Sequence, residues 1–157
     1  MFINKKVIVF ALHPDDETLG CGGYLLKLKK ENANISWVIF TEMNKDSGYS
    51  HKKVQDKNKQ IKKVAIKYGF KNVFELGYSP GTLDKLPLQN LITELTNIIK
   101  IVRPNLVLMP HANDIHTDHF VCNRAILSST KSFRNPYIKK LLVYETLSET
   151  EFKESYS

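Results

Sequence analysis

Residues 6–17 read KVIVFALHPDDE. A nearly unbroken apolar, β-branched run ends abruptly in a histidine, a proline and three acids. A run of that length without polar alternation predicts a strand covered on both faces, as strands are in parallel sheets. Outward from it, the chain alternates. Residues 18–31 carry helical spacing through Leu19, Tyr24, Leu25, Leu26 and Leu28, and residues 35–41 (ISWVIFT) read as a second strand. A lysine-rich helix follows and stops at Gly69, a residue free to take the left-handed conformation that ends helices. Residues 72–76 predict a third strand, and residues 88–102 a helix burying Leu91, Ile92, Leu95, Ile98, Ile99 and Val102. Residues 105–109 (NLVLM) are a fourth strand, residues 118–131 a further helix, and residues 141–144 (LLVY) a fifth strand. The alternation argues an α/β domain with a mostly parallel sheet of about five strands and helices on both faces. In such a sheet, ligands bind beyond the carboxyl ends of the strands, where strand order reverses.

The 157 residues suffice for one ordinary domain, and no repeat, low-complexity tract or linker divides them. The longest apolar runs, residues 7–12 and 106–109, are far too short for a membrane span. The first residues lack a small-residue cleavage site, and two cysteines make no disulfide framework, so a reduced, cytoplasmic protein is the expectation. The net charge of +7 is almost all lysine, because Arg103, Arg124 and Arg134 are the only arginines. Much of it lies in residues 51–71, HKKVQDKNKQIKKVAIKYGFK, where Val54, Ile61, Val64, Ala65 and Tyr68 form an apolar stripe. The lysines occupy the remaining arc as a solvated face. No aromatic residues alternate with them to stack bases, so no specific nucleic-acid partner is expected.

Two loops at the predicted carboxyl end of the sheet hold four of the five histidines, His13 in the first and His111, His116 and His119 in the second, PHANDIHTDH. HPDDE, His13 to Glu17, follows the first strand; DIHTDH, Asp114 to His119, follows the fourth. His13, Asp16 and His119 can be recruited as ligands without straining either loop. Two neutral imidazoles and one carboxylate suit a divalent borderline metal such as zinc, with a coordination position left for water. Each loop then keeps one polar residue beside a ligand, Asp15 in the first and His116 in the second. Hydrolysis needs such a surplus: a base for the proton of the attacking water and a donor facing the developing oxyanion. Simpler uses exist for each residue taken alone. Asp15 or Asp16 can cap the next helix, Asp114 can make an Asx-turn, and Asp118 can cap the fourth helix. Caps do not explain two imidazole–carboxylate clusters at one end of the sheet. Gly20, Gly22 and Gly23 invite a dinucleotide site, but Asp15, Asp16 and Glu17 would repel a pyrophosphate there. Close packing of the helix on the sheet explains the glycines better, and Cys122 is expected in the core.

With both motifs in place, the sequence resembles the PIG-L/LmbE-type zinc N-deacetylases from about residue 6 to residue 144. The resemblance implies a Rossmann-like three-layer fold, a single such domain over residues 1–157, and removal of an N-acetyl group from an N-acetylglucosamine-type sugar or conjugate. It implies His13, Asp16 and His119 as ligands of Zn2+, with Fe2+ or another divalent transition metal as a substitute. It implies Asp15 as general base and His116 as the residue stabilising the oxyanion, with Asp118 available to keep His116 charged. Asp114, Asp118 and Lys57 are the further candidates for supporting ligands or touching substrate.

The sequence departs from the family pattern in three places. Lys57 and Gln60 stand where many members have an arginine and, three residues later, a glutamate, and lysine cannot make the same bidentate contacts. The acid common in the loop after the third strand is missing around Tyr78, Ser79 and Pro80. Members also generally continue beyond the position of Tyr144, so the C-terminal part of the usual domain is expected to be missing. A sheet edge left uncovered would favour association, including a homo-oligomer. The alternative function is therefore a shortened, non-catalytic metal-binding module acting through a partner. A third reading is an Fe(II) enzyme of the 2-His-1-carboxylate type, which the spare Asp15 disfavours. Substrate contacts are expected, by position alone, within residues 42–49 and 77–84.

Overall fold

The computed structural model describes residues 5–43, 48–111 and 117–146. Five strands form one sheet: β1 (Lys6–Ala11), β2 (Asn34–Thr41), β3 (Asn72–Tyr78), β4 (Leu106–Pro110) and β5 (Lys140–Tyr144). Their order is β3-β2-β1-β4-β5 and every pairing is parallel. Four helices connect them: α1 (Asp16–Lys30), α2 (His51–Tyr68), α3 (Leu88–Val102) and α4 (Thr117–Ser129). Sequence and structure agree on every one of these elements to within a few residues. A 3-10 turn, Leu83–Lys85, lies between β3 and α3 where the sequence predicts only turn chemistry.

The period-2 alternation of side chains divides the core in two. Ile8, Phe10, Leu12, Val38, Phe40, Val107 and Met109 point to one face, where Leu91, Leu95 and Ile99 of α3 and Cys122, Ala125 and Ile126 of α4 cover them. Val7, Val9, Ile35, Trp37, Ile39, Leu106 and Leu108 point to the other, against Leu25 and Leu28 of α1 and Ile61 and Tyr68 of α2. This is the expected three-layer arrangement. β1 is buried along five of its six residues because it lies at the centre of the sheet with helices above and below.

The helix ends follow their local chemistry. The Ser50 hydroxyl accepts from the Lys53 amide at the start of α2. Gly69, at φ 69°, ends it, with the Gly69 and Phe70 amides donating back to the Ile66 and Ala65 carbonyls. α1 departs from expectation. Cys21 has non-helical angles (φ −140°, ψ 18°), so the helix kinks and its apolar stripe loses register. Leu25 and Leu28 are buried, but Leu19 and Leu26 are exposed rather than core.

Close packing explains two of the three glycines of α1. A Cβ on Gly20 would overlap the Tyr144 ring and lie 2.8 Å from the Glu145 carbonyl oxygen. One on Gly22 would lie 2.6 Å from the Tyr68 hydroxyl, whereas one on Gly23 would meet nothing within 4 Å. The packing argument therefore fails for Gly23.

Candidate functional site

β1 and β4 are neighbours in the sheet although the chain visits β2 and β3 between them, so strand order reverses at this pair. The loops after both strands therefore open at the same point, the location expected for ligands. A tight turn follows β1, in which the Asp15 and Asp16 amides donate to the His13 carbonyl. The Thr41 amide and hydroxyl both donate to the Leu12 carbonyl, fixing the end of β2 beside this turn. On the other side, the Asn123 side-chain amide donates to the Pro110 carbonyl and fastens α4 to the end of β4.

Neither Asp15 nor Asp16 acts as a helix cap. Asp15 occupies the capping position of α1, but its side chain makes no capping hydrogen bond. Its carboxylate is more than half exposed and lies 3.5 Å from the Lys57 ammonium. Asp16 turns back instead: its Oδ2 accepts from the Leu12 and His13 amides, each at 2.9 Å. That places a buried carboxylate oxygen 3.9 Å from His13 Nδ1 and 3.5 Å from His119 Nε2. Both separations are too long for good hydrogen bonds. They are close to the spacing of two ligands held at about 2 Å by one tetrahedral ion, roughly 3.3 Å. One ligand atom from each of His13, Asp16 and His119 lies within 4.8 Å of the others, and no other such trio of His, Cys, Asp or Glu occurs among the described residues. By donor chemistry and spacing, the three residues fit a divalent borderline cation.

The electrostatics fit as well. Burial pushes the Asp16 carboxyl up, partly offset by His119, the His13 amide and the His13 ring. Burial opposes a charged His13, yet the Asp118, Asp16 and Asp15 carboxylates together hold it above the ordinary histidine value. A carboxyl at Asp16 and an imidazole at His13 that hold their protons more tightly than usual would release them to a cation on binding. Next to it, burial drives Glu17 from 4.5 up to about 7, against the Thr18 hydroxyl that donates to its Oε1.

The Asp118 carboxylate accepts from the Gly81 amide at 2.6 Å and the Leu83 amide at 3.1 Å, so it fastens the segment after β3 to the site. Its Oδ2 also lies 3.7 Å from His13 Nε2. Asp114 and His116 lie outside the described residues. Cys122 is in the core, as expected.

Above the trio lies a cavity of about 270 Å³ lined by His13, Asp15, Asp16 and Lys57 together with Leu19, Thr41, Met43, Tyr49 and Pro80. Met43, Tyr49 and Pro80 fall in the two stretches expected to meet substrate. Thr41 and Leu19 had no sequence signal beyond their positions at element ends. Lys57 enters the cavity because it lies on the inward side of α2, seven residues after Ser50.

The chain is 28% identical over 147 residues to the uncharacterized deacetylase YaiS of Escherichia coli, an alignment covering 90% of this chain and 74% of that protein. It is 27% identical over 122 residues to the diacetylchitobiose deacetylase of Thermococcus kodakarensis, covering 73% of this chain and 45% of that one. This chain therefore spans from under half to three quarters of the length of these relatives. Among solved structures, the conserved protein TT1542 from Thermus thermophilus shares its fold, with a TM-score of 0.75 and 24% identity over 90% of this chain and 66% of that one. The family model described as PIG-L, GlcNAc-PI de-N-acetylase, matches residues 8–130, from within β1 to just past α4. With that match across most of its length, and with both acid–histidine motifs inside it, the chain belongs to the PIG-L family.

Proposed function

We propose that this chain removes the N-acetyl group from an N-acetylglucosamine-type sugar or sugar conjugate, using zinc held by His13, Asp16 and His119. The convergence of those three side chains, with His13 and Asp16 lining one cavity beside Asp15, is the observation that carries the reading. Family membership supplies the reaction class, since relatives include a diacetylchitobiose deacetylase.

A divalent cation bound there supplies an electrophile and makes water acidic enough to attack near neutral pH. The protein's own groups do the rest. Asp15 is placed to take the proton of the attacking water, because its carboxylate stands in the cavity mouth instead of being consumed by a helix cap. The same group returns that proton to the departing amine. Lys57, whose ammonium lies 3.5 Å away, holds the Asp15 carboxylate beside the cavity by an ion pair. His116 is the proposed donor to the oxyanion. Leu19, Met43 and Pro80 give the cavity an apolar rim that limits water around the amide.

The test is metal analysis of the purified chain together with amine release from a panel of N-acetylglucosamine conjugates. Stoichiometric zinc with amine released from at least one conjugate is expected. Zinc with no amine from any of them would favour the non-catalytic metal-binding module instead.

A further inference from the structure

Asp118 is fully buried, yet two separate parts of the protein converge on its carboxylate. Oδ1 accepts from the Leu83 amide, and Oδ2 from the Gly81 amide while facing His13 Nε2 at 3.7 Å. The two amides belong to the segment joining β3 to α3, whose Pro80 lines the cavity. His13 turns its other nitrogen, Nδ1, toward Asp16. The imidazole thus spans two carboxylates, one in the ligand trio and one buried behind the segment that carries Pro80. A carboxylate behind a ligating histidine fixes the tautomer and ring orientation that the metal needs.

We propose that Asp118 is a positioning residue that ties the wall formed by residues 79–83 to the ligand His13, so that metal affinity and the placement of that wall are set together. This rests on the metal reading of the site. Holding the His13 ring firmly presents its Nε2–H to Asp118, and a fixed Asp118 holds the Gly81 and Leu83 amides. By linkage, the effect is reciprocal: whatever orders the wall raises affinity at the trio, and the converse. A substrate pressing on Pro80 would therefore be felt at His13.

The test uses zinc titration against a chromophoric chelator and hydrogen exchange at single amides, neither of which requires turnover. In the unmodified chain, zinc should slow exchange at the Gly81 and Leu83 amides at least about threefold beyond any global change. Asp118→Asn, which keeps the shape and one carbonyl acceptor, should weaken zinc binding by roughly 10- to 100-fold and abolish the zinc-dependent slowing at both amides. Zinc affinity within twofold of the unmodified chain would overturn the proposal, as would zinc that leaves those amides unchanged in the unmodified chain. The second measurement needs no variant, so misfolding of Asp118→Asn cannot hide the answer. No zinc binding by the unmodified chain overturns this proposal and the metal reading together; binding that ignores Asp118 overturns this proposal alone.

Discussion

Replacing Glu17 with glutamine should flatten the pH dependence of stability. Glu17 is the last residue of HPDDE, fully buried in the first turn of α1, with Oε1 bonded to the Thr18 hydroxyl and Oε2 without a hydrogen-bond partner. Burial lifts its carboxyl from 4.5 to about 7. Between those values, the folded chain keeps a proton that the unfolded chain has released. Stability from this group is therefore complete below about pH 4.5, falls as pH rises through the window, and levels off above about pH 7. A separation of about 2.5 pH between the two states corresponds to about 3 kcal/mol lost by pH 8, of which roughly 1 kcal/mol is already lost at pH 5. Glutamine keeps the acceptor for Thr18 and never ionises. The stability of Glu17→Gln minus that of the unmodified chain should thus rise by about 2.5 kcal/mol from pH 5 to pH 8. Urea unfolding of both proteins in chelator at several pH values measures it, and His13 and Asp16, present in both, largely cancel. A difference constant to within about 0.5 kcal/mol across that range would show that Glu17 is ionised inside the fold, and would refute the reasoning.

Asp15→Asn should retain zinc while amine release falls by roughly 10²- to 10⁴-fold, because base catalysis is lost and the ligands are not; full activity would remove Asp15 as the base. His119→Ala should drop zinc content to background by elemental analysis, since two ligands do not make a zinc site. Gly20→Ala should destabilise by about 1–3 kcal/mol, since its methyl group meets Tyr144 and the Glu145 carbonyl. Gly23→Ala, with open space around it in a helix, should stabilise by about 0.5–1 kcal/mol; thermal melts of the two variants should move in opposite directions.

The strands were legible because the sheet is buried on both faces, which makes ISWVIFT and NLVLM continuous apolar runs bounded by polar turns. The meeting of His13, Asp16 and His119 was legible because topology puts the ends of β1 and β4 side by side. What the sequence hid are contacts made across long separations by residues with several plausible uses. An aspartate at the start of a helix reads as a cap, yet Asp118 binds amides 35 and 37 positions earlier in the chain. Asp16 reaches back to the strand it follows, and the ion pair of Lys57 with Asp15 spans 42 positions. The kink at Cys21 left no mark either, since two of its neighbouring glycines are fixed by side chains of β5 and α2 that no local pattern reveals.

The placement of β1 beside β4 also orders events during biosynthesis. A ribosome releases His13 and Asp16 about a hundred residues before His119 emerges, and on the proposed zinc reading two nascent ligands would hold the cation only weakly. Firm capture would wait until β4 has docked along β1, a late contact that closes a long loop. Metal uptake by the newly made chain would then be a clock for completion of the sheet's centre.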